Sequence, residues 1–116
     1  EKIDNAKKSL NDKVYSSAIY HAYSSLVNSA KALLLAENKK TNTHAGIISQ
    51  FDELFVASGR IDLGVDFSEL IYQIKKYAPT EEFASKYIEN ANQFLDKVRT
   101  FRETETEINK LQRKAV

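Results

Sequence analysis

Residues 14–37 read VYSSAIYHAYSSLVNSAKALLLAE, an uninterrupted run without Gly or Pro. Within it Ile19, Ala22, Tyr23, Leu26, Val27, Ala30, Leu33 and Leu34 recur at spacings of three and four. Such spacing gathers side chains onto one wide stripe of an α-helix. At 3.6 residues per turn the run predicts a single helix of about six to seven turns.

Working outward, Ile3, Ala6 and Leu10 keep helical spacing and predict a short first helix ending near Asn11 and Asp12. On the other side Asn38-Lys-Lys-Thr-Asn42 is a polar linker, and Thr43 is placed to cap a third helix that buries Ile47, Ile48, Phe51, Leu54 and Phe55. Gly59 is the expected left-handed stop of that helix. Asp66 is expected to cap a fourth helix with Phe67, Leu70, Ile71, Ile74 and Tyr77 on its inner face. Pro79 ends it, since proline disfavours helical geometry at the preceding Ala78.

Thr80 then caps a fifth helix, with Glu81 and Glu82 where the helix dipole favours negative charge. Ala84, Tyr87, Ile88, Ala91, Phe94, Leu95, Val98 and Phe101 carry its apolar stripe to about residue 102. Residues 1–102 are therefore read as an all-α antiparallel bundle of about five helices. Residues 103–116 are charged, and Thr104-x-x-Glu107 has the form of a capping box, so this segment is read as a tail or a short extra helix.

The chain has 116 residues with three Gly and one Pro, a composition short of tight turns. Seventeen basic residues against sixteen acidic ones leave a net charge of +1, which argues against a nucleic-acid partner, because such binders usually neutralise phosphate with a clear basic excess. There is no Cys to form a disulfide, a thiol nucleophile or a thiolate metal site, in keeping with a cytoplasmic location. No apolar stretch approaches the roughly 20 residues of a membrane span. The opening Glu1-Lys-Ile-Asp4 and the lack of Met predict a piece of a longer polypeptide.

Catalytic machinery is not apparent. No carboxylate or second His stands three or four residues after His21, where a helical metal pair would need one. His44 opens a helix, where an imidazole commonly plugs a loop. No Gly-x-Ser-x-Gly elbow and no Gly-rich phosphate loop can be built with glycines only at 46, 59 and 64. The expectation is a domain that is not an enzyme and holds no cofactor and no metal. Tyr15, Tyr20 and Leu35 lie beside the main stripe of the long helix and are candidate interface residues, for a homodimer or for docking onto a parent protein.

The ordered set Tyr15-Ser-Ser-Ala-Ile-Tyr-His-Ala-Tyr23, Ala30-Lys-Ala-Leu-Leu-Leu35, Thr43-His-Ala-Gly46, Phe51 and Phe55-Val-Ala-Ser-Gly59 resembles the HEPN family of small helical bundles. The acidic start of the fifth helix and Ala91-x-x-Phe94 are similar to the family's last long helix. His44, Gly46 and Gly59 match positions that are structural in the family pattern. Many members are ribonucleases, often toxins, with an Arg followed a few residues later by a His. Here the arginines are at 60, 99, 102 and 113 and the histidines at 21 and 44, so no His follows any Arg. Residues 75–80, Lys-Lys-Tyr-Ala-Pro-Thr, stand where that motif would fall. The nuclease residues are therefore not carried over.

Phe83-Ala-Ser-Lys-Tyr87 with Ala91-Asn-Gln-Phe94-Leu95 also looks like the HEPN-type extension of bacterial sulfite and nitrite reductase-like proteins. Their sirohaem and iron–sulfur cluster would lie elsewhere in such a parent. The leading expectation is thus a non-catalytic accessory or interaction domain of a larger protein. The alternative is a degenerate nucleotide- or RNA-binding HEPN protein of a toxin–antitoxin type system.

Overall fold

The computed structural model describes residues 2–115; Glu1 and Val116 lie outside the described residues. Five α-helices follow one another: α1 (Lys2–Asn11), α2 (Tyr15–Ala36), α3 (His44–Phe51), α4 (Phe67–Tyr72) and α5 (Glu81–Ala115). A π-helical turn, Asp52–Val56, continues α3, and a short 3-10 turn, Gln73–Lys75, follows α4. The all-α helical bundle expected from the apolar periodicity is the observed architecture. Among the described residues no helix is long and apolar enough to cross a membrane.

The direction of each helix follows from who meets whom. α1 folds back on α2 as an antiparallel hairpin, with Ser9 and Ser17 joined at 3.3 Å. Residues 37–43 then return along α2, so that His44 reaches Tyr23 while Arg60, past the end of the π turn, comes back to Glu37. α3 therefore runs in the same direction as α2. α5 does too, because Phe51 meets Phe94 and Phe55 meets Phe101. α4 opposes α5: Phe67 stacks on Phe94, and the Tyr87 hydroxyl donates to the Ile71 carbonyl at 3.2 Å. The bundle alternates only if the returning linker is counted as one of its descending segments.

The predicted stripes form the core. Leu26, Leu34, Phe51, Phe55, Phe67, Ile71, Tyr87 and Phe94 are all fully or almost fully buried. The rings of Phe51, Phe55, Phe67 and Phe94 form its centre, with centroids 4.6–5.4 Å apart in the contacts Phe51 makes with the other three. Those spacings fall in the range where offset and tilted aromatic pairs attract beyond simple burial.

Thr43 and Thr80 cap as expected, accepting from Gly46 N at 3.0 Å and Phe83 N at 3.2 Å. Gly59, at φ +80°, is the left-handed stop after the π turn. Gly46 is required by close approach instead. A Cβ there would run into the Thr41 methyl and come within 2.9 Å of the capping Thr43 hydroxyl.

Three expectations are corrected. Asp66 occupies the cap position of α4, but its side chain makes no capping bond; the carboxylate of Asp52 takes the N–H groups of Phe67 and Ser68 instead. The inner face of the fourth helix stops at Ile71, because the tightened 3-10 turn rotates Ile74 to partial burial and leaves Tyr77 exposed. Residues 103–115 are neither a tail nor a separate helix. They extend α5 without a break, so Thr104 and Glu107 lie inside a helix and cap nothing.

Candidate functional site

One polar cluster forms where the first half of α2 meets the start of α3. The Tyr23 hydroxyl and His44 Nδ1 share a hydrogen bond of 2.8 Å, with ring centroids 5.6 Å apart. The capped first turn of α3 fixes His44 there, and Gly46 lets the linker lie close enough for the approach. The Tyr72 and Tyr20 phenols act on Tyr23 electrostatically. Lys75 Nζ sits 4.5 Å above the centre of the Tyr72 ring, a cation–π contact that holds the ammonium at the edge of the cluster.

Burial first, and then the neighbouring Tyr72 and Tyr20 phenols, push the Tyr23 hydroxyl above the ordinary phenol range. Tyr23 is thus neutral at physiological pH, and its hydroxyl donates to or accepts from His44 Nδ1 according to the imidazole tautomer. With Nδ1 engaged by Tyr23, His44 has its second ring nitrogen left for a ligand. The face presents π surfaces, one imidazole and an ammonium, a set suited to a base and its phosphate. Among the described residues no three of His, Asp and Glu gather as a metal site.

His44 belongs to this cluster. His21 instead packs edge-on against the exposed Tyr20 ring at 5.9 Å, and among the described residues no hydrogen bond joins it to Tyr23 or His44. The three candidate interface residues separate. Tyr15 is half-buried against the core, while Tyr20 and Leu35 are 63% and 46% exposed. Tyr20 and Leu35 stand about 22 Å apart along α2 at its helical rise, too far for one small patch. Gly46 lies in close approach to Thr41 and Thr43, and Gly59 takes a positive φ of +80°. Tyr72 and Lys75 were missed by sequence reasoning; the only signal was the local run Ile71-Tyr-Gln-Ile-Lys-Lys-Tyr77.

Comparison with known proteins places the chain. The HEPN domain matches residues 1–108. A candidate toxin of Methanocaldococcus jannaschii is 34% identical over 108 residues, covering 85% of this chain and 79% of that protein. A UPF0332 protein of Thermotoga maritima is 29% identical over 106 residues, covering 84% and 80%. Neither relative is named as a reductase. No solved structure matches significantly. With its helical order, its Thr43-His-Ala-Gly46 step and a family match over nearly its whole length, the chain belongs to the HEPN domain family.

Proposed function

We propose that this chain is a HEPN protein of toxin–antitoxin type that holds RNA or a nucleotide on the Tyr23–His44–Tyr72–Lys75 face without cleaving it. The observation that carries the reading is the kinship with a candidate toxin over most of both chains. The reductase-extension reading gains nothing from either relative, so the accessory role yields to the toxin-type one. The balanced net charge weighed against a nucleic-acid partner, but a local face does not need a basic molecule. Aromatic stacking contributes about 1–3 kcal/mol per base, and Lys75 supplies charge over the Tyr72 ring.

The residues support a reading of binding without cleavage. No His follows an Arg, so the paired basic and imidazole groups of HEPN ribonucleases are not available as a motif. A lone imidazole can hydrogen-bond a phosphate, but cleavage also calls for stabilisation of the charge that develops in the transition state.

Fluorescence anisotropy with labelled single-stranded RNA, and separately with a labelled mononucleotide, tests the reading and distinguishes the two ligands. Wild-type protein is expected to bind at least one, and Tyr72→Ala with Lys75→Glu to weaken binding about tenfold or more while the helical circular dichroism is unchanged. Wild-type protein that binds neither ligand refutes the binding role. RNA cleavage that disappears with His44→Ala overturns the non-catalytic part.

A further inference from the structure

Of the six tyrosines in the chain, Tyr87 alone is fully buried. The other fully buried aromatic residues of the core, Phe51, Phe55, Phe67 and Phe94, are plain rings. A phenylalanine at position 87 would bury the same ring without a polar group to satisfy. The Tyr87 hydroxyl is satisfied by donating to the Ile71 carbonyl at 3.2 Å, sixteen residues away along the chain.

Ile71 lies near the end of a helix too short to hold itself. α4 has six residues, and isolated helices shorter than about 12–15 residues are marginal in water. Each of its ends is held by a side chain from another element. The Asp52 carboxylate takes the Phe67 and Ser68 N–H groups at the start, and the Tyr87 hydroxyl takes the Ile71 carbonyl at the end. In a continuing α-helix that carbonyl is the acceptor for the N–H of Lys75, four residues on. The Tyr87 hydroxyl competes for it, and the chain goes on as the 3-10 turn Gln73–Lys75, with Lys76 N donating to the Gln73 carbonyl at 2.9 Å. A 3-10 turn eclipses side chains three residues apart. Tyr72 and Lys75 are such a pair, and the ammonium stands 4.5 Å from the centre of the ring.

We propose that Tyr87 is a positioning residue for the ligand face: its hydroxyl, acting through the Ile71 carbonyl, sets the turn that presents Tyr72 and Lys75 together. Sealed in the core, it touches no ligand itself. The inference rests on the binding reading for what the face takes, and on the geometry alone for how the face is set. Without the hydroxyl the end of α4 is released, the ammonium is no longer held over the ring, and ring and charge meet a ligand out of register.

Two measurements on wild type, Tyr87→Phe, Tyr72→Ala and the variant carrying both substitutions test it: proton NMR of the ligand-free chain, and anisotropy with labelled RNA and mononucleotide. In wild type the Tyr72 ring current should move the Lys75 methylene protons upfield. Tyr87→Phe should bring that shift most of the way to its value in Tyr72→Ala. Tyr87→Phe is also expected to weaken binding about threefold or more, and to add nothing in the Tyr72→Ala background, where the platform is already gone. A hydroxyl with a merely structural role lowers the melting temperature and moves neither readout. An unchanged Lys75 shift in Tyr87→Phe overturns the proposal. So do equal binding by wild type and Tyr87→Phe, additive losses in the double variant, or a collapse of the helical circular dichroism in Tyr87→Phe, which would make the hydroxyl a requirement of the whole fold. Wild-type protein that binds neither ligand, with a Lys75 shift that still depends on Tyr87, overturns the binding reading instead and supports the setting of the turn.

Discussion

Asp52 Oδ2 accepts the backbone N–H of Ser68 at 3.0 Å while Oδ1 accepts that of Phe67, so the N-terminus of α4 is capped from the π turn rather than by its own Asp66. The substitution pair Asp52→Ala and Asp66→Ala separates these roles. Losing a charged acceptor for two part-buried N–H groups should cost about 1–3 kcal/mol. Asp66→Ala should stay within about 0.5 kcal/mol, as for an ordinary surface change. Urea denaturation of the two variants measures the difference; a larger loss at Asp66 would restore the local cap.

That cap shows where the sequence stops being legible. The stripe of α2 needs only local spacing, and Ile19, Ala22, Leu26, Val27, Ala30, Leu33 and Leu34 are buried as read. Tyr23 leaves the pattern because its hydroxyl reaches outward to His44. Local capping residues were legible at Thr43 and Thr80, where donor and acceptor lie three residues apart. Asp52 caps across sixteen residues, and only the packing of α3 against α4 creates that pairing. Thr104-x-x-Glu107 misled for the opposite reason: a capping box has meaning only where a helix begins, and nothing between Thr80 and Ala115 breaks this one. The candidate site was half legible. His44 stood out at a helix start, but its partners come from α2 and α4, brought near by the tertiary fold.

Gly46→Ala should destabilise the fold by about 1–3 kcal/mol, because a Cβ meets the Thr41 methyl and the capping Thr43 hydroxyl. Combining it with Thr41→Ser removes the methyl and should return part of the loss, a non-additivity measurable in a double-mutant cycle. Gly59→Ala has open space around it and differs in mechanism: its cost, about 1–2 kcal/mol, comes from the left-handed backbone alone.

Leu26→Ala should cost about 2–5 kcal/mol and Phe94→Ala about 3–5 kcal/mol, as both side chains are buried in the aromatic and aliphatic centre. Tyr20→Ala and Leu35→Ala should change stability little, as both side chains are largely exposed. Thermal melts of the four variants check the assignment of faces on α2 and α5.

Arg60 joins three segments at one end of the bundle. Its guanidinium pairs with Glu37 at 2.5 Å and lies 4.7 and 5.2 Å from the ring centres of Phe55 and Phe101. Both members of the ion pair are about one-third exposed, so the pair itself contributes about 0–1 kcal/mol. Stacking on two rings adds to it and depends on the planar guanidinium. Arg60→Ala should therefore cost more than Glu37→Ala, about 1–2 kcal/mol against less than about 1 kcal/mol. Arg60→Lys, which keeps the charge but not the plane, should fall closer to Arg60→Ala than to wild type in the same urea titration.

Tyr87 supplies the clearest pH dependence. Its ring is fully buried, its hydroxyl donates to the Ile71 carbonyl, and burial followed by the nearby Tyr23 phenol pushes its pKa well above that of an exposed tyrosine. In the unfolded chain the phenol loses its proton near pH 10. Between that pH and the raised native value the folded state holds a proton that the unfolded state has released. Stability contributed by this group is thus complete below about pH 10 and falls as pH rises beyond it. Tyr87→Phe removes the titrating proton and the hydrogen bond together. It should cost about 1–2 kcal/mol at neutral pH, because the Ile71 carbonyl loses its phenol donor. It should also flatten the alkaline fall, although the raised Tyr23 phenol leaves some slope of the same sign. Melting temperatures of wild type and Tyr87→Phe across the alkaline range decide the matter: the gap between the curves should narrow as pH rises, and parallel curves would show that Tyr87 does not titrate differently in the two states.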